Sequence, residues 1–171
     1  MPDVLPLDWS TVTRTARSLH QMDSRFSRVL NRWACLVFAI AHCPADFREV
    51  PPSEEELQAI FDRGVKEDAI DRDKSFVKST PHVGNIAIDT LGLWPKYRCY
   101  ELYRQRAGSS DRTVIQSVNY EPTHRIDEYD VEGAGGHFVK SLLDGTVVYD
   151  ASPDLPLGNL ISSRYLAIVE Q

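Results

Sequence analysis

Apolar positions change rhythm near the middle of the chain. As far as Leu93 they recur at helical spacing or form a solid block, and beyond Trp94 and Pro95 they read as strands. Residues 8–20 carry mixed helix-forming and β-branched content and are expected to form a short first helix, with a polar loop over residues 21–33. Residues 34–41 (ACLVFAIA) are apolar on every side, the mark of a segment buried all round, and their length and alanine pairs favour a central helix. His42, Cys43 and Pro44 close it, and Pro51-Pro52 marks the loop that follows. Ser53 and Glu56 make a capping box, after which Leu57, Ile60, Phe61 and Val65 define one face of a surface helix. Residues 67–74 are charged and read as an exposed loop. Thr80 and Pro81 read as N-cap and first residue of a further helix through Ile86, Ile88 and Leu91, stopped at Gly92.

The second half predicts strands over residues 97–104, 113–120, 137–143, 146–150 and 164–169, with loops at 108–111 and 122–136. Asp144-Gly145 favours a two-residue turn, so 137–143 and 146–150 should form a hairpin in which His137 faces Ser152 and Val139 faces Asp150. That register puts His137 and Asp150 on one side of the sheet as diagonal neighbours. Helices gathered before strands argue an α+β domain with a mostly antiparallel sheet.

The length of 171 residues, 42% of them hydrophobic, is one domain's worth, residues 1–171, able to bury roughly two thirds of its unfolded surface. A net charge of -6 argues against a general phosphate-backbone binder. No signal peptide and no membrane span are expected, which points to a cytoplasmic protein. Three cysteines without a CxxC pair favour neither a disulfide framework nor a zinc site, so no metal and no cofactor are expected.

An imidazole and a carboxylate brought together on a hairpin are the base and orienter of a nucleophilic triad, which lacks only its nucleophile. Cys35 is the candidate. In the first turn of the apolar helix it meets unpaired backbone N–H groups and the positive end of the helix dipole, both favourable to a thiolate. Trp33 stands where it could line a substrate cleft. Residues 133–136, including Gly135 and Gly136, lack bulk and would let a substrate approach His137. His42 and Cys43 read as a helix end, His82 and His124 as surface or capping residues, and Asp71 and Asp73 as solvated charge.

The order Cys35, His137, Asp150, with the local forms ACLVFAIA, GGHFVKSL and GTVVYDASP, resembles the papain-like cysteine peptidases and is most similar to their bacteriocin-processing-like branch. The resemblance implies a papain-like fold and a Cys35–His137–Asp150 triad. It also implies an oxyanion hole made by the Cys35 backbone N–H with the side-chain amide of Gln21, for which Asn31 is a rival. The expected activity is hydrolysis of a peptide, isopeptide or other amide bond in a peptide or protein substrate. Two alternatives stay open: an inactive papain-like module that binds a peptide or partner protein, and an acyltransferase of transglutaminase-like type.

Overall fold

The computed structural model describes residues 34–73, 76–131 and 135–171. The expected helix at 8–20 and loop at 21–33 lie outside the described residues. Three helices pack on a six-stranded antiparallel sheet. The helices are α1 (Cys35–His42), α2 (Glu54–Lys66) and α3 (Thr80–Thr90), and a 3₁₀ turn (Pro44–Phe47) follows α1. A small hairpin, β1 (Ile70–Asp71) with β2 (Phe76–Val77), separates α2 from α3. The main sheet is made of β3 (Tyr97–Arg106), β4 (Arg112–Val114), β5 (His124–Val131), β6 (Gly135–Ser141), β7 (Val147–Asp150) and β8 (Leu160–Glu170), in the order β4-β3-β8-β5-β6-β7.

Every residue of α1 is buried, as its all-apolar sequence requires. The helix lies along β6. Its head meets His137, and its tail carbonyl, His42 O, accepts a hydrogen bond of 2.9 Å from Lys140 Nζ. In α2 the expected capping box is present in full: Glu56 N–H donates to Ser53 Oγ, and Ser53 N–H donates to the Glu56 carboxylate. Leu57, Ile60 and Phe61 of α2 join Phe38 and Ile40 of α1, Val83 and Ile86 of α3, and Cys99, Ile126, Tyr149, Leu166 and Ile168 of the sheet in one apolar core.

Several boundaries differ from expectation, each for a local reason. The N-cap of α3 is Ser79, whose Oγ accepts from His82 N–H, so Thr80 is already helical. At the other end Gly92 (φ 77°) completes a Schellman motif: Leu93 N–H donates to Ile88 O and Gly92 N–H to Asp89 O. The loop expected over residues 67–74 holds β1, because Glu67, Asp68, Arg72 and Asp73 are exposed while Ile70 is buried. The expected strand at 113–120 shortens to β4; Ile115 N–H still donates to Leu102 O, but the side chains of 111–115 are exposed and the chain leaves the sheet edge. The loop expected over 122–136 holds β5 instead, whose Arg, Asp and Glu residues mask a strand paired on both sides, by β8 and β6.

Candidate active site

The hairpin of β6 and β7 positions the imidazole and the carboxylate. Its turn is not the expected two-residue loop. Leu142 N–H donates to Thr146 O, Gly145 N–H donates to Leu142 O, and Gly145 takes φ 94°, which makes a three-residue loop with glycine in the position that needs positive φ. The longer loop displaces the register by one, and a bulge at Val148 between the Ser141↔Val147 and Lys140↔Tyr149 pairs restores it. Val139 therefore faces Asp150 as expected. His137 Nε2–H donates to Asp150 Oδ1 at 2.6 Å, and Ser152 N–H donates to the same oxygen at 2.8 Å. The carboxylate thus holds the ring from one side and is itself held by the backbone two residues on.

Cys35 is the first residue of α1, behind Ala34, which offers no side-chain cap. Its neighbours Ala34 and residues 36–41 all belong to the apolar core, whereas Cys35 lies outside that cluster. The Cys35 thiol lies close enough to the His137 ring to act on its ionisation, while Asp150 holds Nε2. The three groups are well shielded: Cys35, His137 and Asp150 are 8%, 3% and 7% exposed. Burial works against a charged imidazole. The hydrogen bonds to Asp150 and Cys35 and the negative charge of both more than offset it, and push His137 up from 6.5 to about 9. The ring is then an imidazolium at neutral pH. The other two cysteines contrast with Cys35. Burial pushes the Cys43 thiol up to about 12 and the Cys99 thiol higher still, as expected of structural thiols in apolar surroundings.

Gln21, Asn31, Trp33 and residues 133–134 lie outside the described residues. Gly135 pairs with Val131 at the start of β6 and Gly136 with Asp130. A Cβ on Gly136 would collide with the Glu128 carboxylate, so this glycine makes room for that side chain.

Two groups near the site were not legible as such in the sequence. Asp127 on β5 also pairs with Val139, so His137 has a carboxylate at both of its diagonal positions, Asp150 on β7 and Asp127 on β5. Asp127 Oδ1 accepts from Arg125 Nε at 2.7 Å and from Ser163 Oγ at 2.6 Å. Asp127 Oδ2 and Ser152 Oγ are buried with no hydrogen-bond partner among the described residues. The only signal for Asp127 was its place in a strand that its charged neighbours conceal.

The second group ties down the tail of α1. Lys140 Nζ, buried, pairs with Asp46 Oδ1 at 2.7 Å, and Asp46 Oδ2 accepts from His124 Nε2–H at 2.9 Å. Burial would raise the Asp46 carboxyl, but its hydrogen bonds to His124 and Lys140 hold it down at about 2. His124 is therefore a buried cross-link between β5 and the 3₁₀ turn and not a surface residue. His82, by contrast, is a surface residue paired with Glu67 at 2.8 Å.

Among the described residues, no cluster of three or more His, Cys, Asp or Glu side chains is arranged to hold a metal ion, and no helix is long and apolar enough to cross a membrane. No family model, curated protein or solved structure matches this chain.

Proposed function

We propose that this protein is a papain-like cysteine hydrolase that cleaves an amide bond through Cys35, His137 and Asp150. The observation that carries the reading is one imidazole hydrogen-bonded to a buried carboxylate, with a thiol at a helix head close enough to act on its ionisation. A cysteine kept only for packing has no use for either partner.

In the mechanism, the thiol proton resides on His137 and the Cys35 sulfur attacks the substrate carbonyl carbon. A tetrahedral intermediate forms, and its oxyanion falls near the Cys35 backbone N–H, one of the donors that a helix start leaves unpaired. The carbon–nitrogen bond breaks and the imidazolium gives its proton to the leaving amine. His137, now neutral, takes a proton from water. The hydroxide formed attacks the thioester, the carbon–sulfur bond breaks, the carboxylic acid departs, and the Cys35 sulfur is left beside the protonated His137 as at the start. Asp150, fixed by the Ser152 N–H, keeps the ring turned toward the sulfur throughout.

Alkylation by iodoacetamide at pH 6 tests the site directly. Cys35 is expected to label at least ~10 times faster than in the His137→Ala variant, because the thiolate is the reacting form and the ring takes its proton. Equal rates in the two proteins would sink the catalytic reading. With a cleavable substrate in hand, the products with and without an added primary amine tell hydrolysis from acyl transfer.

A further inference from the structure

By register and alternation, the sheet face that carries His137 and Asp150 continues sideways to Arg125, Tyr165, Tyr103 and Tyr100. Toward the β3–β4 edge this face opens to solvent and its composition changes. Tyr103 and Tyr165 stack at 4.6 Å, the Arg112 guanidinium lies over Tyr103 at 4.3 Å, and Arg98 lies over Tyr100 at 5.4 Å. Tyr100 in turn packs on Tyr120 at 5.2 Å. Val114, opposite Tyr103 in the register, is 62% exposed, and Tyr120 is 46% exposed.

Tyrosine and arginine held rigid by stacking, beside exposed aliphatic groups, are the side chains that dominate binding energy at protein interfaces. Apolar exposure of this kind on a folded domain marks an interaction surface. Charge then selects the partner. Four other arginines are spent on internal carboxylates: Arg48 on Glu56, Arg63 on Glu67 and Asp89, Arg104 on Glu101, and Arg125 on Asp127. Arg98 and Arg112 have no carboxylate partner among the described residues. Both are exposed, in a chain whose net charge is -6. Nucleic acid is the less suitable anion for this surface, because a phosphate backbone calls for a track of cations. Here two free guanidinium groups stand among tyrosines, with Glu121 close enough to act on Tyr103.

We propose that the Arg98–Tyr100–Tyr103–Arg112 surface docks an extended acidic polypeptide segment that also carries aromatic or aliphatic side chains. Guanidinium groups pair with the carboxylates of the segment, and the tyrosine rings and Val114 take its apolar side chains. The surface acts independently of the chemistry at Cys35, so it stands or falls separately from the hydrolase reading.

Fluorescence anisotropy of the intact protein with a labelled Glu-Tyr repeat peptide tests it, with a Lys-Tyr repeat and a single-stranded oligothymidylate as rival probes. The Glu-Tyr peptide is expected to bind, to weaken with added salt, and to lose about tenfold in affinity in the Arg98→Ala/Arg112→Ala double variant. The Cys35→Ala variant should bind it unchanged. Tyr120→Ala, at an exposed position, should weaken binding without altering the circular dichroism spectrum. The proposal is overturned if the Lys-Tyr repeat binds equally well, if the oligonucleotide binds more tightly, or if the double variant keeps full affinity.

Discussion

His137 is asked to do two opposed things: to sit where water scarcely reaches, and to carry a charge. Asp150 and the Cys35 sulfur make that possible, and their combined effect sets a testable titration. The folded-state pKa, about 9, lies above the ordinary 6.5, so the stabilisation it brings is fully present below pH 6.5 and is lost as pH rises through 9. The shift corresponds to roughly 3 kcal/mol of folding free energy across that window. An NMR titration should place the His137 ring near 9, and denaturant unfolding should find the protein less stable at pH 10 than at pH 6. In Asp150→Asn the ring loses its carboxylate and its midpoint should move back toward 6.5. A midpoint near 6.5 in the unaltered protein would show that Asp150 and Cys35 do not act on the ring as described.

Among the elements, α3 and α1 make opposite points about local preference and packing. Gly84 sits inside α3, where alanine would be favoured by about 1 kcal/mol on helix propensity. A Cβ there, however, would stand 2.5 Å from Cys99 Sγ and 2.9 Å from Cys99 Cβ, against a buried strand. Gly84→Ala is therefore expected to destabilise the protein by about 2 kcal/mol, measured by urea unfolding, because overpacking outweighs propensity. The tail of α1 depends on charge. Lys140 bonds both the His42 carbonyl and Asp46, and replacing it by methionine takes the ammonium away from a half-buried Asp46 carboxylate. Lys140→Met should cost about 3 kcal/mol at pH 7, the usual scale for breaking a buried pair from one side. The difference should shrink as pH falls toward 2, where Asp46 takes up its proton in the parent protein. A loss that persists unchanged at pH 2 would mean that Lys140 contributes by packing alone.

At the scale of the whole molecule, the candidate site is a product of tertiary structure: its sulfur comes from the first element described, and its imidazole and carboxylate from β6 and β7. Of the three thiols, Cys43 and Cys99 are buried in the core with their ionisation suppressed, while Cys35 alone touches a base. The native protein should accordingly take up one equivalent of iodoacetamide at pH 6, and the urea-unfolded protein should expose all three thiols when labelled at pH 9. The rapid phase at Cys35 should vanish over the same urea range in which the circular dichroism signal is lost. If rapid labelling outlives the fold, the enhancement is local to the peptide and owes nothing to His137.

The sequence by itself determined those features that arise from neighbours along the chain. All-round hydrophobicity makes α1 a buried helix, the Ser53 and Glu56 pair caps α2, Gly92 ends α3, and Asp144-Gly145 turns the hairpin that sets His137 beside Asp150. Even there, two local departures compensate: the loop is one residue longer than expected, the bulge at Val148 absorbs it, and burial of Val139 and Tyr149 holds the register. Only the tertiary structure decided that β5 is a central strand, since its charged residues are satisfied by partners distant in sequence, such as Asp46 for His124 and Ser163 for Asp127. It alone brought the Cys35 sulfur to the His137 ring, because about a hundred residues separate them and no local preference acts over that distance. It alone also left Arg98 and Arg112 without carboxylate partners among the described residues on an open sheet face, because pairing depends on which strands become neighbours.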